Sequence, residues 1–177
     1  MMLHRAKARV DRILAAVLMV LMAANVLNVL WQVFTRFVLK NPSSFTEELA
    51  RYLLIWVGLL GASYAAGKKM HLAIDVVLQV LSGRPRKWIE TFIQVFIFLF
   101  SFLVMVLGGI RLVAITLTLN QISAALRIKL GYVYLVLPLS GLLIMFYAVY
   151  FFVERLRTPE GEPKEFKVTA VESTEGI

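Results

Sequence analysis

Apolar residues run along this chain in four long stretches, separated by shorter polar segments. The first extends from Ile13 to about Val38 and the second from about Leu49 to Ala66. The third extends from Trp88 to about Ile115, and the fourth from Leu130 to Val153. A helix needs roughly 20 predominantly apolar residues to cross the ~30 Å hydrocarbon core of a bilayer. Each stretch therefore predicts one transmembrane helix. The second is the shortest, because its uncharged part begins only at Tyr52; Leu49 to Arg51 must form its first turn, with the Arg51 side chain reaching back to the headgroups. The third carries no charge from Thr91 to Ile110, and its helical pattern continues past Arg111 towards Asn120.

The segment between the second and third spans has its own periodicity. From Met70 to Leu81 the polar residues are His71, Asp75 and Gln79, four apart, and the rest are Leu, Ile, Val, Ala or Met. One narrow polar stripe on an apolar helix predicts an amphipathic element lying along the membrane interface or against another protein. Residues 1–155 thus form one membrane domain without an internal repeat. Residues 156–177 form an acidic tail with Pro159, Gly161 and Pro163, too poor in apolar residues to order itself.

Composition supports lipid as the solvent. Of 177 residues, 60% are hydrophobic and 17% charged, against roughly 45–50% and 25% in soluble domains. A net charge of +8 raises the question of nucleic acid, but the basic residues bracket the apolar runs instead. Arg5, Lys7, Arg9 and Arg12 precede the first run; Lys68, Lys69, Arg84, Arg86 and Lys87 lie between the second and third; Arg155, Arg157, Lys164 and Lys167 follow the fourth. The other side holds the smaller set of Arg36, Lys40, Arg51, Arg111, Arg127 and Lys129. This asymmetry predicts that both termini are cytoplasmic. The basic start followed by an apolar run looks like a signal peptide, yet the run from Ile13 to Thr35 exceeds a signal's ~7–15 apolar residues. It reads as a retained first span.

Several chemistries find no residues. There is no cysteine, so thiolate metal sites and cysteine nucleophiles are excluded. Within the four uncharged cores there is no Asp or Glu of the kind that binds a cation or proton in a pump. His4 and His71 both lie outside the spans, where they cannot ligate a membrane haem. His71 and Asp75 read as an i,i+4 polar pair rather than metal ligands. No phosphate loop or nucleophile–base pair is present, so the chain is read as a non-enzyme with no cofactor.

The start of the second span carries the densest polar cluster. Ser44 is expected to cap the helix, with Glu47 at the third helical position completing a capping box. Glu48 sits near the positive helix end, and Arg51 follows Glu47 at ion-pair spacing. Arg36 and Arg111 are the charges nearest the hydrocarbon, placed to snorkel or to pair with Glu47, Glu48 or a partner. Gly58, Gly61, Ala62, Ala65 and Ala66 supply small residues for close helix packing.

These residues resemble a family. Phe45-Thr46-Glu47-Glu48-Leu49-Ala50-Arg51-Tyr52, then Trp56 and Gly61-Ala62, then His71-Leu72-Ala73-Ile74-Asp75, and later Gln121-Ile122-Ser123-Ala124-Ala125-Leu126 with Tyr134 and Leu137-Pro138, follow its order and spacing. The chain resembles the small membrane subunit of TRAP (tripartite ATP-independent periplasmic) transporters, the DctQ-like family, over nearly all its length to about Arg155. It departs in having Lys68 and Lys69 where members often carry Arg, and Lys129 where they often carry Pro. The resemblance implies a bacterial inner-membrane subunit in a stable heterodimer with a large subunit that binds sodium and an organic acid. It also implies transient docking of a periplasmic substrate-binding protein. The small subunit then supports the scaffold of its larger partner within membrane lipid. Candidate partner contacts are Glu47, Glu48, Arg51, Trp56, Gly61, Ala62, His71, Leu72, Asp75 and Val76, and candidate docking residues are Lys40, Arg127 and Lys129. The alternative is a self-contained homo-oligomeric transporter or channel, for which the spans offer few path-lining polar residues: Asn25, Asn28, Gln32, Gln94 and Ser101.

Overall fold

The computed structural model describes residues 2–41, 43–68 and 84–157. Helix α1 is Met2–Phe37 and α2 is Ser44–Gly67. Helix α3, Arg84–Phe100, runs into a π-helical segment, Ser101–Gly108, and then into α4, Gly109–Thr118. A short α5, Leu130–Tyr134, leads through Leu135 into α6, Val136–Arg157. Among the described residues four helical spans are long and apolar enough to cross a membrane: His4–Phe37, Ser44–Gly67, Thr91–Thr118 and Leu130–Glu154. No strand occurs among the described residues beyond one antiparallel bridge, Ile122 to Lys129. The amphipathic element predicted over Met70–Leu81 lies outside the described residues, and so does the tail from 158 onward.

Helix α1 buries one narrow seam. Lys7, Asp11, Leu14, Leu18, Leu21, Asn25, Asn28, Gln32 and Thr35 are covered to some degree, with Val10 and Ala15 beside them, and nearly everything else described is exposed. These positions alternate by three and four, the 3.5-residue repeat of a helix crossing its neighbour at a shallow angle. The seam is charged at the terminal end, apolar in the middle and polar beyond Leu21. In the most apolar window of this span only 6% of residues are buried. Its Leu, Val, Ile and Met side chains are therefore suited to lipid or a partner rather than to a core of its own.

The seam packs along α2, α2 packs on α6, and α6 packs on α3 and the π segment, so the helices stand side by side in the order first, second, fourth, third. Leu14, Leu60, Val136, Tyr147, Tyr150 and Phe151 form the buried centre. Small residues bring α2 and α6 together: Ser63, fully buried, donates from Oγ to Leu59 O (3.0 Å) and across to Ser140 O (3.2 Å). Such interhelical bonds average about 0.6 kcal/mol in membranes.

The π segment packs against α6, and glycines close the contact between the third and fourth spans there. A Cβ on Gly109 would sit 2.9 Å from Pro138 Cδ, and one on Gly141 would sit 2.7 Å from Met105 Cβ and 3.2 Å from the Val106 backbone nitrogen. Only glycine allows those contacts. Pro138 also has no N–H to give to the preceding turn, which accounts for the interruption at Leu135.

The second helix begins one residue earlier than the capping-box reading expects. Ser43, with extended backbone, is the N-cap, so the third helical position is Thr46 rather than Glu47. The Thr46 hydroxyl donates back to Ser43 O (2.8 Å) and lies 3.0 Å from Ser43 Oγ. Ser44 is the first helical residue, and Glu47 is left for its ion pair.

Candidate functional sites at the two ends of the bundle

At the hairpin end, the loop after Thr118 folds back on itself. Ser123 N donates to Ile128 O (2.9 Å) and Leu130 N to Gln121 O (3.0 Å), with Asn120 and Arg127 in the left-handed backbone region at φ 46° and 53°. These turns leave the Ala125 and Leu126 amides at the tip without a partner in the loop's own ladder. Glu48 supplies it: Oε2 accepts from Ala125 N (2.8 Å) and Leu126 N (2.9 Å), while Oε1 accepts from the Tyr52 hydroxyl (2.7 Å). Charge-assisted bonds of this kind are shorter and stronger than neutral ones. Beside it, Asn28 Nδ2 donates to Thr46 O (2.8 Å), tying α1 to the first turn of α2. One amide thus ties the first span to the second, and one carboxylate ties the second to the tip of the hairpin between the third and fourth.

At the terminal end, Asp11 gathers a second network. Its Oδ2 pairs with Lys7 Nζ at 2.8 Å and Lys68 Nζ at 3.5 Å, and its Oδ1 accepts from the Tyr147 hydroxyl at 2.6 Å. The Lys7 ammonium lies 5.7–5.8 Å from the ring centres of Tyr147, Tyr150 and Phe151, within cation–π range. Tyr150 Oη and His4 Nδ1 are 2.7 Å apart. Gly67 makes the arrangement possible, since a Cβ there would lie 2.5 Å from Tyr147 Cζ. Sequence reasoning missed this cluster. Its signal was Asp11, an isolated acid amid four basic residues, four positions after Lys7. Among the described residues no group of three His, Asp or Glu could hold a metal ion.

The residues singled out from sequence fall into distinct places. Glu48 is engaged within the chain. Glu47 and Arg51 form an exposed pair at 3.4 Å. Trp56 packs against the buried centre. Gly61 has open space where a Cβ would stand, as does Gly58, and Ala62 is exposed. Lys40, Arg127 and Lys129 are exposed in the two loops of the hairpin end. Arg36 is exposed beside the Phe37 ring, and Arg111 is exposed as well. His71, Leu72, Asp75 and Val76 lie outside the described residues.

Four apolar spans held together by small-residue contacts and polar links at both ends define a multi-pass membrane protein. The sequence profile described as "Tripartite ATP-independent periplasmic transporters, DctQ component" matches residues 25–158, and the chain belongs to that family. It is 34% identical over 119 residues to the sialic acid TRAP transporter permease protein SiaT of Haemophilus influenzae (strain 86-028NP), covering 65% of this chain and 18% of that protein. It is 36% identical over 66 residues to the sialic acid TRAP transporter small permease protein SiaQ of Vibrio cholerae, covering 37% of this chain and 38% of that one. A putative TRAP transporter small permease protein of H. influenzae (strain ATCC 51907) is 24% identical over 112 residues, or 63% of this chain and 68% of the relative. The chain thus spans less than half the length of the first two of these relatives.

Proposed function

We propose that this subunit is non-catalytic and pairs stably with a large permease subunit in a bacterial inner membrane, both termini cytoplasmic. The complex takes up an organic acid with sodium, fed by a periplasmic binding protein, and this chain braces the scaffold of the large subunit. One observation carries the pairing. In the Haemophilus relative the matching stretch is 18% of a single longer permease chain, so a segment like this one is there covalently part of a permease. The exposed apolar flank of α1 and the stripe of Glu47, Arg51, Leu54, Gly58 and Ala62 on α2 offer surface for a neighbouring helix, since small residues let backbones approach. Sialic acid appears in the names of two relatives; for this chain we extend that only to the class of organic acids.

The test is reconstitution. Co-expressed with a large subunit encoded beside it, the chain should co-purify in mild detergent. The pair plus binding protein should then take up substrate in liposomes along a sodium gradient. The chain alone should show no sodium-dependent uptake, and robust uptake by it alone would establish the homo-oligomeric transporter instead.

A further inference from the structure

Helix α4 carries a single charge, Arg111. The buried residues of this helix are Gly109, Val113 and Thr116, and Gly109 and Thr116 meet the fourth span at Pro138 and Gly131. Arg111 is two residues from both Gly109 and Val113, about 200° around the helix. It therefore points away from the bundle, exposed among the exposed side chains of Leu107, Ile110, Leu112 and Ile115. Two contacts fix its depth. Gly109 is level with Pro138, and Ser140, the next residue but one, accepts from Ser63. The third and fourth spans run antiparallel, so Arg111 lies about 6 Å from the Ser63–Ser140 bond towards the hairpin end. That is the level of Leu59, about 22 Å from Ser44 and about 12 Å from Gly67 along α2. On its own helix Arg111 is about 10 Å from Thr118, the end of the span. With a hydrocarbon core of ~30 Å, this places the residue well within the apolar layer.

Among the described residues Arg111 has no ion pair or hydrogen bond. Arg51, the cation on α2, is held by Glu47. An arginine cannot shed its proton to escape the cost, and charges at membrane depth face a protein interior and pair there. This chain cannot supply the acid. No Asp or Glu occurs in 13–38, 52–67, 91–120 or 130–153, so a second copy has none at this depth, and a two-fold contact would set one Arg111 against another. Lipid phosphates lie outside the hydrocarbon. We infer that the large permease subunit covers this face of α4 and presents a carboxylate to Arg111 within the apolar layer. Two carboxylate oxygens match the planar guanidinium fork, and the exposed Leu107, Ile110 and Ile115 supply apolar contact around the pair. The inference rests on the proposed pairing and extends it from the first two spans to the third.

The test compares variants of the full-length chain co-expressed with the large subunit. Arg111→Leu should hold the large subunit more weakly by roughly tenfold or more, the size of one lost charge-assisted hydrogen bond. Arg111→Lys keeps the charge and should hold it more tightly than Arg111→Leu. Expressed alone, Arg111→Leu should insert as well as wild type, because it removes a cation from lipid. A photo-crosslinking amino acid in place of Ala114, exposed nearly one turn further on, should join to the large subunit in the membrane. Undiminished binding by Arg111→Leu, no gain in Arg111→Lys, or crosslinks from position 114 to lipid alone would overturn this contact while the wild-type complex still upheld the pairing. Failure of Arg111→Leu to insert when expressed alone would assign the arginine to this chain's own assembly and overturn the contact too. Absence of a wild-type complex would overturn the pairing itself, and this contact with it.

Discussion

Glu48, one turn into α2, accepts the backbone N–H of Leu126 at 2.9 Å across a sequence separation of 78 residues. Oε2 takes the neighbouring Ala125 amide as well, so one carboxylate closes the hairpin tip onto the second span. A glutamine has only one carbonyl oxygen and no charge for the same donors. Glu48→Gln should therefore speed amide hydrogen exchange in a peptide covering residues 119–129 and lower the thermal midpoint of the purified chain. Glu48→Asp, with the charge kept but the reach shortened, should fall between. Exchange unchanged in Glu48→Gln would mean that the Ser123–Ile128 and Gln121–Leu130 bonds hold the hairpin without it.

The four spans and the family were legible because lipid imposes a length and polarity rule that apolar runs state openly. Glu48 and Gln121 to Leu126 were legible as a pattern but not as a contact, since the groups that meet Glu48 are backbone amides and carry no side-chain signature. The helix start was misplaced by one residue because Ser43 and Ser44 are chemically identical as caps, and only Thr46, by bonding back to Ser43, decides between them. Asp11 went unnoticed among basic neighbours, although Lys7 four residues earlier marks a pair. The π segment had no signal at all: Ser101 to Gly108 reads as ordinary apolar helix, and the close approaches beside it, Gly141 to Met105 and Val106 and Gly109 to Pro138, join residues far apart in sequence.

Glycines on α2 should separate internal packing from partner packing. Gly67→Ala drives a methyl into the Tyr147 ring and pulls that hydroxyl from Asp11. Overpacking of this kind costs about 1–3 kcal/mol, so the isolated chain should lose stability. Gly58→Ala meets nothing within 4 Å and removes a flexible helix position, a change worth about 0.5–1 kcal/mol in favour of the helix. Its isolated chain should be as stable as wild type or slightly more so. If the large subunit covers this stripe, Ala62→Trp should reduce co-purification without altering insertion. Full complex yield from Ala62→Trp would move the partner to the open flank of α1.

Topology is directly measurable because the chain has no native cysteine. Single cysteines at Lys40 and Ala124, both exposed at the hairpin end, and at Arg5, exposed at the terminal end, report the two sides. With the termini cytoplasmic, an impermeant thiol reagent applied to intact spheroplasts should label Lys40→Cys and Ala124→Cys only. Arg5→Cys should react only after permeabilisation. Labelling of Arg5→Cys in sealed cells would invert the orientation and, with it, the assignment of the hairpin end to the binding protein.

The hairpin end also concentrates exposed positive charge at fixed positions. Lys40 sits in the left-handed region at φ 51° and Arg127 at φ 53°, while Lys129 is paired with Ile122 across the bridge. Glu48 holds the Arg127 loop through the Ala125 and Leu126 amides, and Asn28 ties α1 to Thr46 just beyond the Lys40 loop. On the proposed function and topology, the binding protein would approach the complex from this side. Exposed ion pairs contribute only about 0.2–1 kcal/mol each and act mainly on encounter rate and register. Lys40→Glu combined with Lys129→Glu should therefore slow uptake when binding protein is limiting, leave assembly with the large subunit intact, and be overcome at high binding-protein concentration. Raising inert salt should slow the wild type towards the double variant, because screening shortens the reach of exposed charges to about 8 Å at 0.15 M and 3 Å at 1 M. Equal uptake by both proteins across the whole concentration range would place docking on the large subunit alone and leave these cations as anchors at the lipid headgroups.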